Sequence, residues 1–415
     1  MSLDQALIPL ESIIFALSEA LDSVDPRVAK HQIRVSYLTR LLGRQLGFKG
    51  AELEALVIAA ALHDLGLFTF KEKQLAFDEI PGVLEKHARL GYQMLRRFPF
   101  LRRSAEFILY HHTPWKELGR GPDYSTALGG NIIHLADRIE VRARVLRPLL
   151  LYAPSLLEDL GALKEEFAPE LLQALRELGE KELFWLRLER LRSETEVTFQ
   201  VEYSTYLTCR DLVSLAALFA LVVDLKSPFT RIHSAAVARL AVWLGEEMGF
   251  RDYLRDQLLV AGYLHDLGKL SVPESILDKA GPLTPQEWAV MKAHPFVTYR
   301  ILERIPHFEV INLWASSHHE RLDGRGYPAR LTARELSLGA RILAVADITT
   351  ALLEDRPYRR GMPPEKVSQI LNDLSGSALD PRLVALVIRN LDHVGSLIRE
   401  VQEERLGHME ALGYL

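Results

Sequence analysis

The chain has 415 residues, too long for one typical hydrophobic core and about right for two. Hydrophobic residues make up 48% and charged residues 25%, the balance of a soluble globular protein, and a net charge of −5 gives no electrostatic reason to bind long nucleic acids. Cys209 is the single cysteine, which excludes an intrachain disulfide and a Cys-rich zinc site and fits a reducing compartment.

The N-terminal stretch MSLDQALIPLESIIFALSEALDS is acidic and amphipathic, without the basic start and small-residue cleavage site of a secretory signal. The longest apolar run, Leu212–Val223, has twelve residues against the roughly 20 that span a bilayer. The expectation is a cytoplasmic protein that does not enter a membrane. Apolar residues recur at helical spacing nearly everywhere, as in HQIRVSYLTRLLGRQLGF (31–48) and HSAAVARLAVWLGEEMGF (233–250). Proline and glycine fall between such stretches, and alternating strand patterns are scarce, so the fold is expected to be all-α.

Those two stretches also match each other. His31, Val35, Leu38, Gly43, Gly47 and Phe48 align with His233, Val237, Leu240, Gly245, Gly249 and Phe250 at a constant offset of 202. At that offset LHDLGL (62–67) meets LHDLGK (264–269), and Asp22 and Pro26 meet Asp224 and Pro228. The offset grows to 207 at His87/His294 and at the doublets His111-His112 and His318-His319, then to 210 at Asp137/Asp347, as surface-loop insertions would cause. The chain thus reads as two helical modules, 8–178 and 210–392, with a helical connector at 179–209 and a C-terminal helix at 393–415.

The shared polar positions are His31, His63, Asp64, His87, His111, His112 and Asp137 in the first module. In the second they are His233, His265, Asp266, His294, His318, His319 and Asp347. They take ten of the 14 histidines. A lone histidine on an apolar helix is often a hydrogen-bonded core residue; the same set twice in the same order points instead to metal ligands facing the inside of a bundle. Neutral imidazole and carboxylate suit iron, manganese, zinc or nickel. Seven groups exceed what one ion needs, so a dinuclear site bridged by a carboxylate is the economical reading, able to generate hydroxide and to hold a phosphoryl group.

LHDLGK, with an upstream His and a downstream Asp, resembles the HD superfamily of metal-dependent phosphohydrolases. HHERLDGRGYP (318–328) narrows the resemblance to the HD-GYP family of cyclic di-GMP phosphodiesterases. It runs from about Asp224 to Pro381 and includes KAGPLTPQEWAVMKAHP and ARILAVADITTALLEDRPYRR. The resemblance implies that His233, His265, Asp266 and Asp347 hold one metal and Asp266, His294, His318 and His319 the other. It implies hydrolysis of cyclic di-GMP to pGpG, with GMP as a further product, and Asp266 and Lys269 as catalytic residues. Iron or manganese is expected, with zinc, nickel and magnesium as alternatives. Lys269 follows Asp266 by three residues and His265 by four, so within a helix it shares their face and would meet the scissile phosphate. Gly324 and Gly326 permit tight turns and Pro328 stiffens the exit of a loop that brings Tyr327 over the substrate. Arg321, Arg356 and Arg359 are the remaining expected substrate contacts, guanidinium forks suiting phosphate and guanine.

Some family members place a third-metal Glu four residues before the first His. Phe229 stands there in the second module and Arg27 in the first, so two ions per module are expected. The family's DxxDA reads DITTA, with Thr350 for the second Asp, which removes a carboxylate expected to support the ligands. The first module keeps all seven ligands but has Leu67 for Lys269, Leu150 for Arg359 and no Gly-Tyr-Pro after HHTPWKELGRGPDY (111–124), although Arg147 matches Arg356. A metal- or ligand-sensing regulator is expected there, a hydrolase of another substrate being the alternative.

Three functions compete for the whole chain: a cyclic di-GMP phosphodiesterase, a hydrolase of cyclic GMP-AMP or another nucleotide, and a non-catalytic cyclic di-GMP receptor. The loop argues against nucleoside polyphosphates, and the intact ligands with Lys269 argue against a receptor. Beyond the cyclic dinucleotide, the partners expected are diguanylate cyclases, through the loop, and a second copy in a homodimer.

Overall fold

The computed structural model describes residues 7–24, 30–77, 80–119, 121–191, 205–227, 232–354 and 361–411. Arg27, Phe229, Arg356 and Arg359 lie outside these, as do residues 192–204 of the expected connector. The fold is all-α; the strands among the described residues are the two-residue segments Ile8–Pro9 and Tyr206–Leu207. No helix is long and apolar enough to cross a membrane among the described residues. The described residues fall into two compact units, one of Pro9–Thr205 and one of Tyr206 onward together with residues 7–8.

In the first unit Gly50–Leu62 is the central helix. Its sequence, GAELEALVIAAAL, has no polar side after Glu54, and every residue from Leu56 to Leu62 is buried. His31–Gln45 and Arg102–Leu109 pack on it, and Tyr124–Ala143 packs on both of those. Glu182–Arg190, read from sequence as connector, buries Phe184, Trp185 and Leu188 and packs on Leu149–Gly161 and Pro169–Gly179.

The second unit repeats the arrangement. A capping box between Thr208 and Asp211 starts Cys209–Leu225. Tyr253–Leu264 is central, packed by His233–Glu247, Cys209–Leu225 and Glu309–Ser316, and Leu338–Leu353 lies on His233–Glu247. The C-terminal helix, Leu391–Ala411, covers His233–Glu247 and buries Val394, Ile398 and Val401, which share one face at helical spacing.

Lys269 does not share an α-helical face with His265 and Asp266, because the α-helix stops at Leu264 and Leu267–Ser271 is a 3-10 turn. The cause is a close approach. A Cβ on Gly268 would lie 2.0 Å from the His294 carbonyl oxygen, and the Gly268 N–H donates to Thr298 Oγ1 at 2.9 Å. The backbone is drawn onto the neighbouring helix at the cost of α-helical register. Gly66 does the same in the first unit, its Cβ position 2.4 Å from the His87 carbonyl oxygen. Each glycine therefore docks the His-Asp segment against the helix carrying the next histidine.

Gly268→Ala is expected to cost about 1–3 kcal/mol, the usual penalty of overpacking, and to lower metal content by displacing His294. Gly281→Ala, with nothing within 4 Å of its Cβ position, is the control. Thermal unfolding and elemental analysis of the two variants check this; equal melting temperatures would contradict the close approach.

Candidate metal centre

The second unit brings all seven expected positions together. His233 begins one helix, His265 and Asp266 follow the end of another, and His294 begins a third. His318 and His319 follow Glu309–Ser316, and Asp347 comes from Leu338–Leu353. Asp266 sits between two groups of imidazoles. Its Oδ1 lies 3.4 Å from His294 Nε2 and 3.7 Å from His318 Nε2; its Oδ2 lies 3.3 Å from His265 Nε2 and 3.9 Å from His233 Nε2. Asp347 Oδ1 is 3.1 Å from His233 Nε2, and its Oδ2 is 3.7 Å from His319 Nδ1.

The hydrogen bonding turns these rings into electron-pair donors. The Nδ1–H groups of His265, His294 and His318 donate to the carbonyls of Gly262, Met291 and Ala315 at 2.7, 2.8 and 2.7 Å. That assignment leaves each Nε2 as a bare lone pair pointing inward. His294 Nε2 and His318 Nε2 face each other at 3.4 Å, and His265 Nε2 and Asp266 Oδ1 are buried without a hydrogen-bond partner. Acceptors facing acceptors in a buried space fit a divalent cation and little else. Burial drives the His318 pKa well below that of a free imidazole and takes His319 down to about 3, so both rings are neutral, the form that coordinates. Burial opposes ionisation of Asp266, but His265 and Lys269 outweigh it and hold the carboxyl well below its usual range. Burial likewise opposes a charged His233, yet Glu354 and Asp347 overcome it and push the ring up to about 10; a metal ion at Nε2 would replace that proton.

The first unit gathers the matching seven. Asp64 Oδ1 is 3.5 Å from His63 and 3.9 Å from His87, and its Oδ2 is 3.8 Å from His31. His87 Nε2 and His111 Nε2 face each other at 3.2 Å, and Asp137 is 3.4 Å from His31. Burial lowers His63 to about 4, and it takes His111 and His112 well below the free value with help from neighbouring rings. Burial lifts Asp137 to about 7, His31 opposing and Asp64 and Glu140 adding to the rise.

The units differ above the doublet. In the second, a cavity of about 700 Å³ opens onto His319, bordered by Trp288, Lys292, Arg321, Arg325 and Tyr327. The Tyr327 ring packs on His319 at 4.8 Å, and burial raises its hydroxyl, leaving it a protonated donor. Buried Glu320 holds this loop: its carboxylate accepts from the N–H groups of Ala329, Arg330 and Leu331 at 2.6, 3.1 and 3.0 Å. Gly326 passes so close that a Cβ would lie 2.5 Å from Glu320 Cα. Arg321 is bonded to Asp323 at 2.8 Å on the rim, and Lys269 Nζ lies 2.5 Å from Asp266 Oδ2. In the first unit Thr113 matches Glu320, and Leu67 is buried where Lys269 would be. Its cavity of about 590 Å³ over His112 is bordered by Leu84, Pro114, Lys116, His134 and Arg138, while Arg147 is exposed away from that lining. His134, buried and lowered to about 4, accepts from Arg138 Nε at 3.3 Å.

Sequence reading missed Glu140, Glu320, His134 and Glu354. Glu140, which accepts from His31 Nδ1 at 2.5 Å, carried a signal: it stands three residues after Asp137, the spacing of DxxD. Glu354 accepts from His233 Nδ1 at 3.2 Å and carried none, since no motif places an acid there.

A buried His/Asp cluster held between bundle helices defines a metal-dependent hydrolase, and the comparisons agree. Residues 28–142 and residues 217–383 each match a family model described as HD domain. The chain is 31% identical to the 3'3'-cGAMP-specific phosphodiesterase 1 of Vibrio cholerae over 92% of its own length and 91% of that protein. It is 31% identical to the cyclic di-GMP phosphodiesterase of Thermotoga maritima, over 52% of this chain and 58% of that one. Among solved structures, a cyclic GMP-AMP specific phosphodiesterase of V. cholerae (V-cGAP3) superposes with a TM-score of 0.63 and 25% identity, covering 93% of this chain and 98% of that one. The chain belongs to the HD-GYP family, with two HD domains in tandem. It is a metal-dependent phosphodiesterase of cyclic dinucleotides.

Glu320→Ala leaves three backbone donors without their acceptor, at about 1–3 kcal/mol for each that water does not reach. The expected result is a lower melting temperature and a raised KM with metal content kept. Steady-state kinetics beside elemental analysis check this, and an unchanged KM would show that the carboxylate does not organise the loop.

Proposed function

We propose that the second module, residues 210–392, carries the hydrolysis and that the first, residues 8–178, binds metal without turning over the same substrate. The observation that carries this is Asp266, whose two oxygens face different imidazole groups beside Lys269 and beneath the Gly-Tyr-Pro loop. His233, His265, Asp266 and Asp347 would hold one divalent ion and Asp266, His294, His318 and His319 a second, iron or manganese by ligand type; such a pair supplies an activated water and a Lewis acid to a phosphodiester. Lys269 places a positive charge beside Asp266, where it offsets the charge of the scissile phosphate. Tyr327 donates a hydrogen bond from above, while Arg321, Gly324, Gly326 and Pro328 shape the wall that receives the nucleotide. Opening one phosphodiester adds one water: its oxygen joins phosphorus, the bond to the 3'-oxygen breaks, and that oxygen takes the proton. A linear dinucleotide with a 5'-phosphate results.

The substrate favoured is 3',3'-cyclic GMP-AMP, because the relatives matching both modules end to end are named as specific for it. Cyclic di-GMP, opened to pGpG, is the second reading, favoured by relatives that match about half of this chain, such as the one from T. maritima. Turnover of both by the manganese-loaded chain, followed by chromatography, decides between them. A kcat/KM for cyclic GMP-AMP no higher than that for cyclic di-GMP would reverse the order, and turnover of neither would end the proposal.

The division of labour makes its own prediction. Asp266→Ala should abolish turnover and lose bound metal, whereas Asp64→Ala should keep turnover while losing metal from the first unit only. Lys269→Ala, which removes a charge contact, should cost about 2–4 kcal/mol of transition-state stabilisation, roughly 30- to 1000-fold in rate. If Asp64→Ala is the dead variant and Asp266→Ala still works, the modules have been assigned the wrong way round.

A further inference from the structure

The two units support the same histidine nitrogen from different positions. In the first, His31 Nδ1 donates to Glu140, which also takes Arg34 and Arg144, the latter at 2.9 Å. At the Asp137/Asp347 offset of 210, Glu140 corresponds to Thr350 and Arg144 to Glu354. Thr350 is fully buried and its hydroxyl makes no hydrogen bond, so the second unit has a short, unsatisfied side chain where the first has a carboxylate. Four residues on, at the end of the same helix, Glu354 is 1% exposed and takes the Nδ1–H of His233 at 3.2 Å. Four residues is about one helical turn, so both positions lie on one side of the helix. A neutral imidazole carries a single N–H. Fixing it on Nδ1 leaves His233 Nε2 as a lone pair, aimed at the space shared with Asp347 and Asp266 at 3.1 and 3.9 Å.

We propose that Glu354 is the positioning residue for His233, a carboxylate moved one turn along the helix to replace the one absent at Thr350. This rests on His233 being a metal ligand, as read above. Glu354 sets the ring's tautomer and rotation, and the ring in turn presents Nε2 to the ion.

The test compares the full-length parent with Glu354→Ala, Glu354→Gln, Glu354→Ala/Thr350→Glu and His233→Ala. Each is loaded with manganese, equilibrated against graded chelator and analysed for retained metal, with melting temperature recorded on the same samples. Ions in the first unit are common to all variants and cancel. Losing a carboxylate behind a ligating histidine typically weakens metal binding about 10- to 100-fold. That loss is expected for Glu354→Ala, with a smaller one for Glu354→Gln. The double variant, which returns the carboxylate to the place it has in the first unit, should recover parental affinity. Parental affinity in Glu354→Ala overturns the proposal, and so does equal loss in the single and double variants, which would mark a merely structural role. If His233→Ala keeps its full metal content, the ligand assignment itself falls; if it loses metal and Glu354→Ala does not, only the positioning role falls.

Discussion

The two oxygens of Asp266 look toward different imidazole groups, and most of the second unit exists to keep them doing so. A buried carboxylate is costly unless cations or donors meet it. Here three of the surrounding rings are prevented from being donors on their inner side. Helix C-termini leave carbonyls without intrahelical partners, and His265, His294 and His318 each give their N–H to a carbonyl three residues back, at or just beyond a helix end. His63 and His111 do the same in the first unit. The ends of helices thus set the tautomers, and the tautomers turn a polar pocket into a nest of lone pairs that only a cation satisfies.

Such a nest is independent of what lies above it. Both units build it with the same helices, and both use a glycine pressed against the next main chain to bring its parts together. The differences lie on the substrate side. Leu67 offers no charge where Lys269 does, and His134 with Arg138 borders the first cavity where Tyr327 borders the second. The buried His/Asp cluster and the cavity lining above it are therefore separable layers of the same module.

The ligand positions were legible in the sequence because each is carried on a helix or at its end, and helices keep their internal spacing when loops change length. A constant offset through His31/His233 and His63/His265 is the signature of that rigidity, and the growing offset beyond it marks loops that the core does not constrain. The stop at Leu264 was not legible. Tyr253–Leu264 and its continuation keep helical periodicity, and only the contact between Gly268 and His294, 26 residues apart in sequence, breaks the helix. Glu354 was invisible for a related reason. A carboxylate displaced by one turn keeps its face but leaves its motif, so a pattern read by spacing reports a loss at Thr350 where the fold has a substitution. Glu320 stood in plain view beside the doublet, yet its part depends on the loop folding back over it.

Glu320 directs its carboxylate to the backbone of the loop, and in the first unit Thr113 stands in its place. Because this clasp bonds to the loop's own main chain, it ties the loop to the doublet and to nothing beneath it. The seven His/Asp positions of the first unit come together without it, so a module of this fold can carry or lack the loop while the buried cluster below stays in place.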